Sequence, residues 1–123
     1  MPVRWSIEDG LLRLVSDEEA SFSEWCDAID AATESQWFRP GTAVCHDARR
    51  MRRVPTGDEA QQRINVLMAH AGAAGVRRWA TVVDGTAILG VGRMGERLAS
   101  QVGVSLRVFT DLEKAESWAR TGS

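Results

Sequence analysis

Three aspartates are the first candidates for a functional site. Each follows a short apolar stretch that predicts a buried strand. They are Asp47, Asp84 and Asp111. Parallel strands present their carboxyl ends at one edge of a sheet, where α/β proteins tend to meet ligands and partners. We therefore expect the three carboxylates to lie near that edge, beside polar residues from the same loops. The predicted binding surface consists of Asp47, Arg49, Arg50, Thr56, Asp84 and Thr86.

These residues favour recognition over catalysis; an enzyme of unrecognised type is a further alternative, and it would need a titratable group with a strongly shifted pKa in a cleft. Three carboxylates can attract a cation, but the short loops show no ligand spacing, so we assign no metal and no cofactor. His46 and Asp47 could act as a base and its orienting group. However, adjacent residues of a strand point to opposite faces, so their side chains cannot readily hydrogen-bond. No Ser or Cys has a base beside it in the sequence, and we assign no catalytic residue.

Four arginines crowd the loop after the central predicted strand: Arg49, Arg50, Arg52 and Arg53. Guanidinium groups suit phosphate, so the loop could bind an anion or a phosphoprotein. The favoured alternative is a solvated loop that balances nearby acids. No aromatic residues are interleaved and the net charge is −2, so we predict no nucleic-acid partner. Arg77 and Arg78 precede a strand and belong to the opposite edge of the sheet.

A glycine pattern raises a second kind of site. Gly90, Gly92 and Gly95 match G-x-G-x-x-G, and Asp111 lies 16 residues beyond Gly95. Such glycines let backbone N–H groups approach a pyrophosphate, while a later acid binds the ribose. Against this, the chain has room for only one βαβ unit. Small residues that pack a helix onto the sheet also explain the glycines.

The elements that position these residues follow from periodicity and from helix caps. Residues 3–8 alternate polar and apolar side chains, and Asp9-Gly10 favours a tight hairpin into a second strand. Capping boxes predict helix starts at Ser21, Thr56 and Thr110. The resulting order is β-β-α-β-α-β-α-β-α. It predicts an α/β fold with one mixed, mainly parallel five-stranded sheet, an N-terminal antiparallel hairpin and four helices.

Composition limits the class of protein. The chain has 123 residues, of which 44% are hydrophobic and 26% charged, typical of one globular domain spanning 1–123. We expect a cytoplasmic protein, since no apolar run approaches a membrane span and the first residues lack the apolar core of a signal peptide.

Cys26 and Cys45 are predicted to be buried, reduced thiols. We expect Trp37 and Phe38 to cap the core, with an exposed partner-binding patch as the alternative.

Two phrases, at residues 38–49 (FRPGTAVCHDAR) and 92–119 (GRMGERLASQVGVSLRVFTDLEKAESWA), carry a family resemblance together with the opening hairpin. The chain resembles the small bacterial STAS-like proteins, which have the SpoIIAA-like fold. STAS domains are generally non-catalytic and bind partner proteins such as anti-sigma-factor kinases, and some bind nucleotides or lipids. The resemblance therefore implies a regulatory or protein-interaction module.

The resemblance also singles out Thr56, which stands where sigma-regulating members carry a phosphorylated Ser or Thr. The family's Asp-Ser-x-Gly phrase is replaced here by Val54-Pro55-Thr56-Gly57, and a role as N-cap also explains Thr56. The alternative function is a small-ligand carrier, for a lipid-like molecule or for a nucleotide bound through Gly90–Gly95. An uncovered edge strand would also allow a homodimer.

Overall fold

Five strands and four helices form in the described parts of the chain, which are residues 2–51, 57–84 and 89–122 of the computed structural model. The strands are β1 (Val3–Glu8), β2 (Leu11–Ser16), β3 (Ala43–Asp47), β4 (Arg78–Val82) and β5 (Ser105–Phe109). The helices are α1 (Phe22–Glu34), α2 (Gly57–Ala73), α3 (Leu89–Gln101) and α4 (Leu112–Thr121). Their order confirms the predicted α/β fold. None of the helices in these ranges has the length and apolar character that crossing a membrane requires.

The strands lie in the sheet in their order along the chain, β1-β2-β3-β4-β5. β1 is antiparallel to β2, and the other neighbours are parallel. Asp9 and Gly10 both adopt positive φ, at 52° and 73°, as the tight turn of the hairpin requires. Right-handed crossovers that always step in one direction place α1, α2 and α3 on the same face of the sheet. α4 follows the last strand and returns across the other face.

Two hydrophobic cores result, one on each face of the sheet. The larger lies under α1, α2 and α3, and includes Leu14, Ile29, Val44, Met68, Trp79 and Ala99. The smaller lies under α4, and includes Leu11, Cys45, Ala80, Val82, Ala115 and Trp118. Strand residues alternate between the two cores, since successive side chains point to opposite faces. Each polar residue at a strand end therefore belongs to one face or to the other.

Helix caps agree with the sequence at α1 and differ from it at α4. The Ser21 hydroxyl accepts from the backbone N–H of Glu24, and the Glu24 carboxylate accepts from the backbone N–H of Ser21, each at 3.1 Å. The prediction of Thr110 as the cap of α4 was wrong by one residue. Asp111 caps this helix, because its carboxylate accepts from the backbone N–H of Lys114 at 3.2 Å. The predicted cap at Thr56 lies outside the described residues.

Candidate functional site

Aspartates follow three neighbouring parallel strands, as predicted. Asp47 ends β3, and exposed Asp84 and Asp111 come two residues after β4 and β5. Backbone bonds extend the sheet slightly beyond the strands: Ala48 donates to Val82 at 2.8 Å and Val83 donates to Phe109 at 2.9 Å. The three carboxylates consequently share what we call the carboxyl edge, the margin of the sheet where β2, β3, β4 and β5 end.

Asp47 and Arg49 form the best-defined polar contact at the carboxyl edge. The guanidinium donates from Nε to Oδ1 at 2.9 Å and from Nη2 to Oδ2 at 2.7 Å. The Arg49 backbone N–H also donates to Oδ1, at 3.2 Å. These hydrogen bonds hold the pKa of Asp47 below its usual value despite partial burial. The Arg49 pKa is raised by the same hydrogen bonds, with a smaller attraction from Asp84. Arg49 is therefore a cation that Asp47 holds in place and that Asp84 attracts more weakly.

Of the other residues predicted for this surface, the structure describes Arg50 but not Thr56 or Thr86. Arg50 is exposed, and it forms no side-chain hydrogen bond or ion pair with a side chain that the structure describes. Thr56 and Thr86 lie outside the described ranges, as do Arg52 and Arg53. The described part of the surface is thus Asp47, Arg49, Arg50 and Asp84, of which Asp47, Arg49 and Asp84 interact.

A buried polar contact lies just below the carboxyl edge, and the sequence did not reveal it. The Ser16 Oγ and the His46 Nε2 are 2.7 Å apart, and the two residues are 0% and 2% exposed. The His46 ring also packs on Trp25, with 4.6 Å between ring centroids. Burial lowers the pKa of His46 to about 4, an effect that the charge of Asp47 opposes. His46 is therefore neutral near pH 7.

Alternation along β2 indicates only that Leu12, Leu14 and Ser16 share one face of the sheet. The register pairs Leu14 with His46, which places Ser16 one step beyond on the same face. As predicted from alternation, His46 and Asp47 point to opposite faces. His46 contacts Ser16 and Trp25, while Asp47 binds Arg49.

Two reactive groups near the carboxyl edge, His46 and Cys45, are poorly placed for catalysis on a soluble substrate. His46 is enclosed, and burial raises the pKa of the Cys45 thiol to about 12. The described residues contain no cluster of His, Cys, Asp and Glu that would hold a metal ion. What this edge offers in its described part is charge and hydrogen bonding at a solvent-facing surface.

The glycine pattern lies within α3, and Gly95 is the member whose surroundings the structure describes. Gly95 is buried, and a Cβ at this position would lie 3.7 Å from Leu106 and 3.8 Å from Ile64. That is ordinary van der Waals distance, so a methyl group would fit there and the packing of α3 against β5 and α2 does not require glycine at this position. Asp111, the acid assigned to the ribose, caps α4. Nucleotide binding through Gly90, Gly92, Gly95 and Asp111 stays a prediction.

Trp37 and Phe38 were both predicted to cap the core, and the structure places only Phe38 against it. Phe38 is half-buried and packs against the larger core, as expected. Trp37 is 61% exposed, so its prediction as a core cap was wrong. The two residues follow one another in an irregular loop, and a single side chain closes this end of the core.

Comparisons with protein-family models, with curated proteins and with solved structures find no match to this chain. The functional assignment therefore depends on the contacts and charges of the residues described above.

Proposed function

We propose that this protein is a non-enzymatic regulatory or protein-interaction module of STAS-like type, which engages a partner protein at the carboxyl edge. The observation that carries the proposal is the Arg49 guanidinium, which Asp47 fixes through two hydrogen bonds at a solvent-facing strand end. The order of elements and the monotonic sheet, with three helices on one face and one on the other, support the STAS-like assignment.

The electrostatics of the edge favour recognition of a charged partner. Arg49 has a side chain that is 42% exposed, so its free N–H groups can reach a partner while Asp47 holds its geometry. Fixing a side chain before binding reduces the entropy lost on association. Arg50 adds a second exposed cation, and Asp84 an acid nearby. Such a pattern of mixed charges contributes specificity and association rate more than affinity.

Thr56 remains part of the proposal as a regulatory residue. Helix α2 begins at Gly57, directly after Thr56, and the positive end of a helix dipole favours a negative group at its N-terminus. A phosphate on Thr56 would add negative charge next to the arginine-rich loop. Phosphorylation would then change the partner's affinity.

The proposal is tested by capture from a lysate of the source cells with three forms of the protein. The edge variant carries Arg49→Glu and Arg50→Glu. The control variant carries Arg39→Glu and Arg77→Glu, which make the same charge change at exposed positions before β3 and β4. We expect a partner that the wild type and the control retain and the edge variant loses, quantified by mass spectrometry. Equal retention by all three forms would contradict the proposal.

A small-ligand carrier is the second candidate, and the start of α3 favours it. Gly90 and Gly92 lie in the first turn of α3, where backbone N–H groups have no partner within a helix. A nucleotide phosphate would suit those donors. Native mass spectrometry of freshly purified protein separates the candidates. A bare chain supports the interaction module, and a retained mass of a nucleotide or lipid supports the carrier.

A further inference from the structure

β5 is an edge strand of the described sheet, in which β4 is its one neighbour. The backbone N–H of Ser105 donates to Arg77 at 2.8 Å, and the carbonyl of Phe109 accepts from Val83 at 2.9 Å. In a parallel ladder, alternate residues of a strand face one neighbour. Ser105, Arg107 and Phe109 therefore bond inward to β4, whereas Leu106 and Val108 present their N–H and C=O groups to solvent. Within the described ranges, no hydrogen bond occupies these outward groups.

An open groove of about 490 Å³ runs along this edge. Its walls come from both faces of the sheet: Glu96 and Ser100 of α3 lie on one side and Trp118 of α4 lies on the other. Leu106 is half-buried, and so is Val108 of the same strand. The groove therefore combines free backbone groups with partly exposed apolar side chains, which is what an added β-strand requires.

The two walls carry opposite charges, Arg107 on one and Glu96 on the other. Arg107 lies 5.4 Å from the Trp118 ring centroid and 5.5 Å from that of Phe109, so cation–π contacts orient it. Among the side chains that the structure describes, which exclude those of residues 85–94, neither Arg107 nor Glu96 has an ion-pair partner. An added strand could place an acidic residue opposite Arg107, on the α4 face of the sheet. The residues on either side of that acid would then point to the α3 face, beside Leu106 and Glu96.

We infer that the β5 edge binds an extended segment of a partner protein as a sixth strand, with acidic residues facing Arg107 and apolar or basic residues facing Leu106 and Glu96. This surface is separate from the carboxyl edge and does not depend on the function proposed there. A second copy of the chain fits less well. Antiparallel pairing of two β5 strands about Arg107 would place the two guanidinium groups opposite each other, and like charges there are destabilising.

The probe is an acetylated and amidated peptide of sequence Ser-Lys-Glu-Val-Glu-Val-Ser, titrated to about 2 mM into ¹⁵N-labelled protein so that a millimolar Kd is measurable. In the free protein we expect the amides of Leu106 and Val108 to exchange with solvent quickly. Binding should shift and protect these two amides. Arg107→Glu should weaken binding about tenfold or more, because an acid then opposes an acid. Arg4→Glu, at an exposed position of the other edge strand β1, should leave it unchanged.

Two further probes separate strand addition from charge attraction. A peptide with its glutamates replaced by lysines should bind Arg107→Glu better than it binds the wild type. Two peptides N-methylated at alternating residues should differ, since only one set of amides faces β5. The inference is overturned if neither amide shifts, if Arg107→Glu binds as the wild type does, or if both methylated peptides bind equally. It is also overturned if sedimentation shows a dimer that Arg107→Glu abolishes.

Discussion

His46 is the ionisable residue whose environment departs most from water, because it is enclosed between β2, β3 and α1. Its ring contacts the Ser16 hydroxyl and the face of Trp25, and burial disfavours the imidazolium. A buried neutral histidine makes a protein sensitive to mild acid, since the unfolded chain binds the proton more readily. The residue thus couples the larger core to pH without taking part in the proposed recognition.

We predict that the free energy of unfolding falls as pH drops from 6.5 towards 4, the interval between the ordinary pKa of histidine and the lowered pKa of His46. The loss should total about 3 kcal/mol, and above pH 6.5 this contribution is fully present. Urea unfolding at pH 7.5 and at pH 4.5 measures it. His46→Gln should remove most of the difference, and His70→Gln, the matched change at an exposed histidine, should retain it. An unchanged difference in His46→Gln would contradict this prediction.

Cys45 should be inert in the folded protein. Raising its pKa from 9.0 to about 12 lowers the thiolate fraction at pH 8 by about a thousandfold, and burial further limits access. In a Cys26→Ser background, Ellman's reagent should react with Cys45 only as fast as the protein unfolds. The same reaction in denaturant is the reference. Native and denatured rates of similar size would show that the thiol is accessible.

At the scale of single elements, two glycines with positive φ offer a matched test of the loop that precedes β4. Gly75 has φ of 95°, and a Cβ there would lie 2.9 Å from Cα of Pro40. Gly103 has φ of 78°, with nothing within 4 Å of the same position. Gly103→Ala should cost about 1 kcal/mol of backbone strain. Gly75→Ala should cost about 1–3 kcal/mol more, because the methyl group meets backbone.

Chemical denaturation of the two alanine variants gives this difference directly. Equal losses of stability in the two variants would contradict this prediction. They would mean that the loop carrying Pro40 moves away from the new methyl group without a loss of free energy. The contact matters because Gly41 donates to the Gly75 carbonyl at 2.9 Å, so the loops before β3 and β4 are joined. Only tertiary structure brings these loops together, and no local pattern in the sequence reports the contact.

Short sequence motifs correctly predicted the start of α1 and the turn between β1 and β2, because one or two residues determine each of these features. Ser21 and Glu24 form the expected capping box, and Asp9-Gly10 forms the expected turn. At α4 the sequence pattern placed the cap at Thr110, and the structure places it one residue later, at Asp111. The Ser16–His46 contact escaped prediction for a different reason. It depends on the pairing register of β2 and β3, which alternation within one strand does not specify.

At the scale of the molecule, charge is arranged along the direction of the strands. An aspartate ends or follows each of the four parallel strands: Asp17, Asp47, Asp84 and Asp111. Arginines gather where β3 and β4 begin and where α4 ends: Arg39, Arg77, Arg78 and Arg120. Arg78 donates to the carbonyls of Ala119 and Arg120, each at 2.8 Å, so it stabilises the C-terminus of α4.

This arrangement follows from the parallel topology. Helix N-termini lie at the carboxyl edge and favour acids, while helix C-termini lie at the opposite margin and favour cations. Topology was predictable because strands alternate with helices and crossovers are right-handed. The arrangement also makes Arg49 and Arg50 distinctive. They are cations at an edge where the helix dipoles favour acids. Asp47 stabilises Arg49 there, whereas Arg50 forms no ion pair with a side chain that the structure describes.

Site-specific photo-crosslinking tests the recognition role of the carboxyl edge most directly. A benzophenone amino acid replaces Arg50 in one sample and Arg77 in another, both exposed but at opposite margins of the sheet. Each full-length protein is irradiated in a lysate of its source cells. We predict one dominant crosslinked protein from position 50, absent from position 77 and lost when Arg49→Glu is added. Crosslinking that is equal at both positions, or that survives Arg49→Glu unchanged, would contradict binding at this edge.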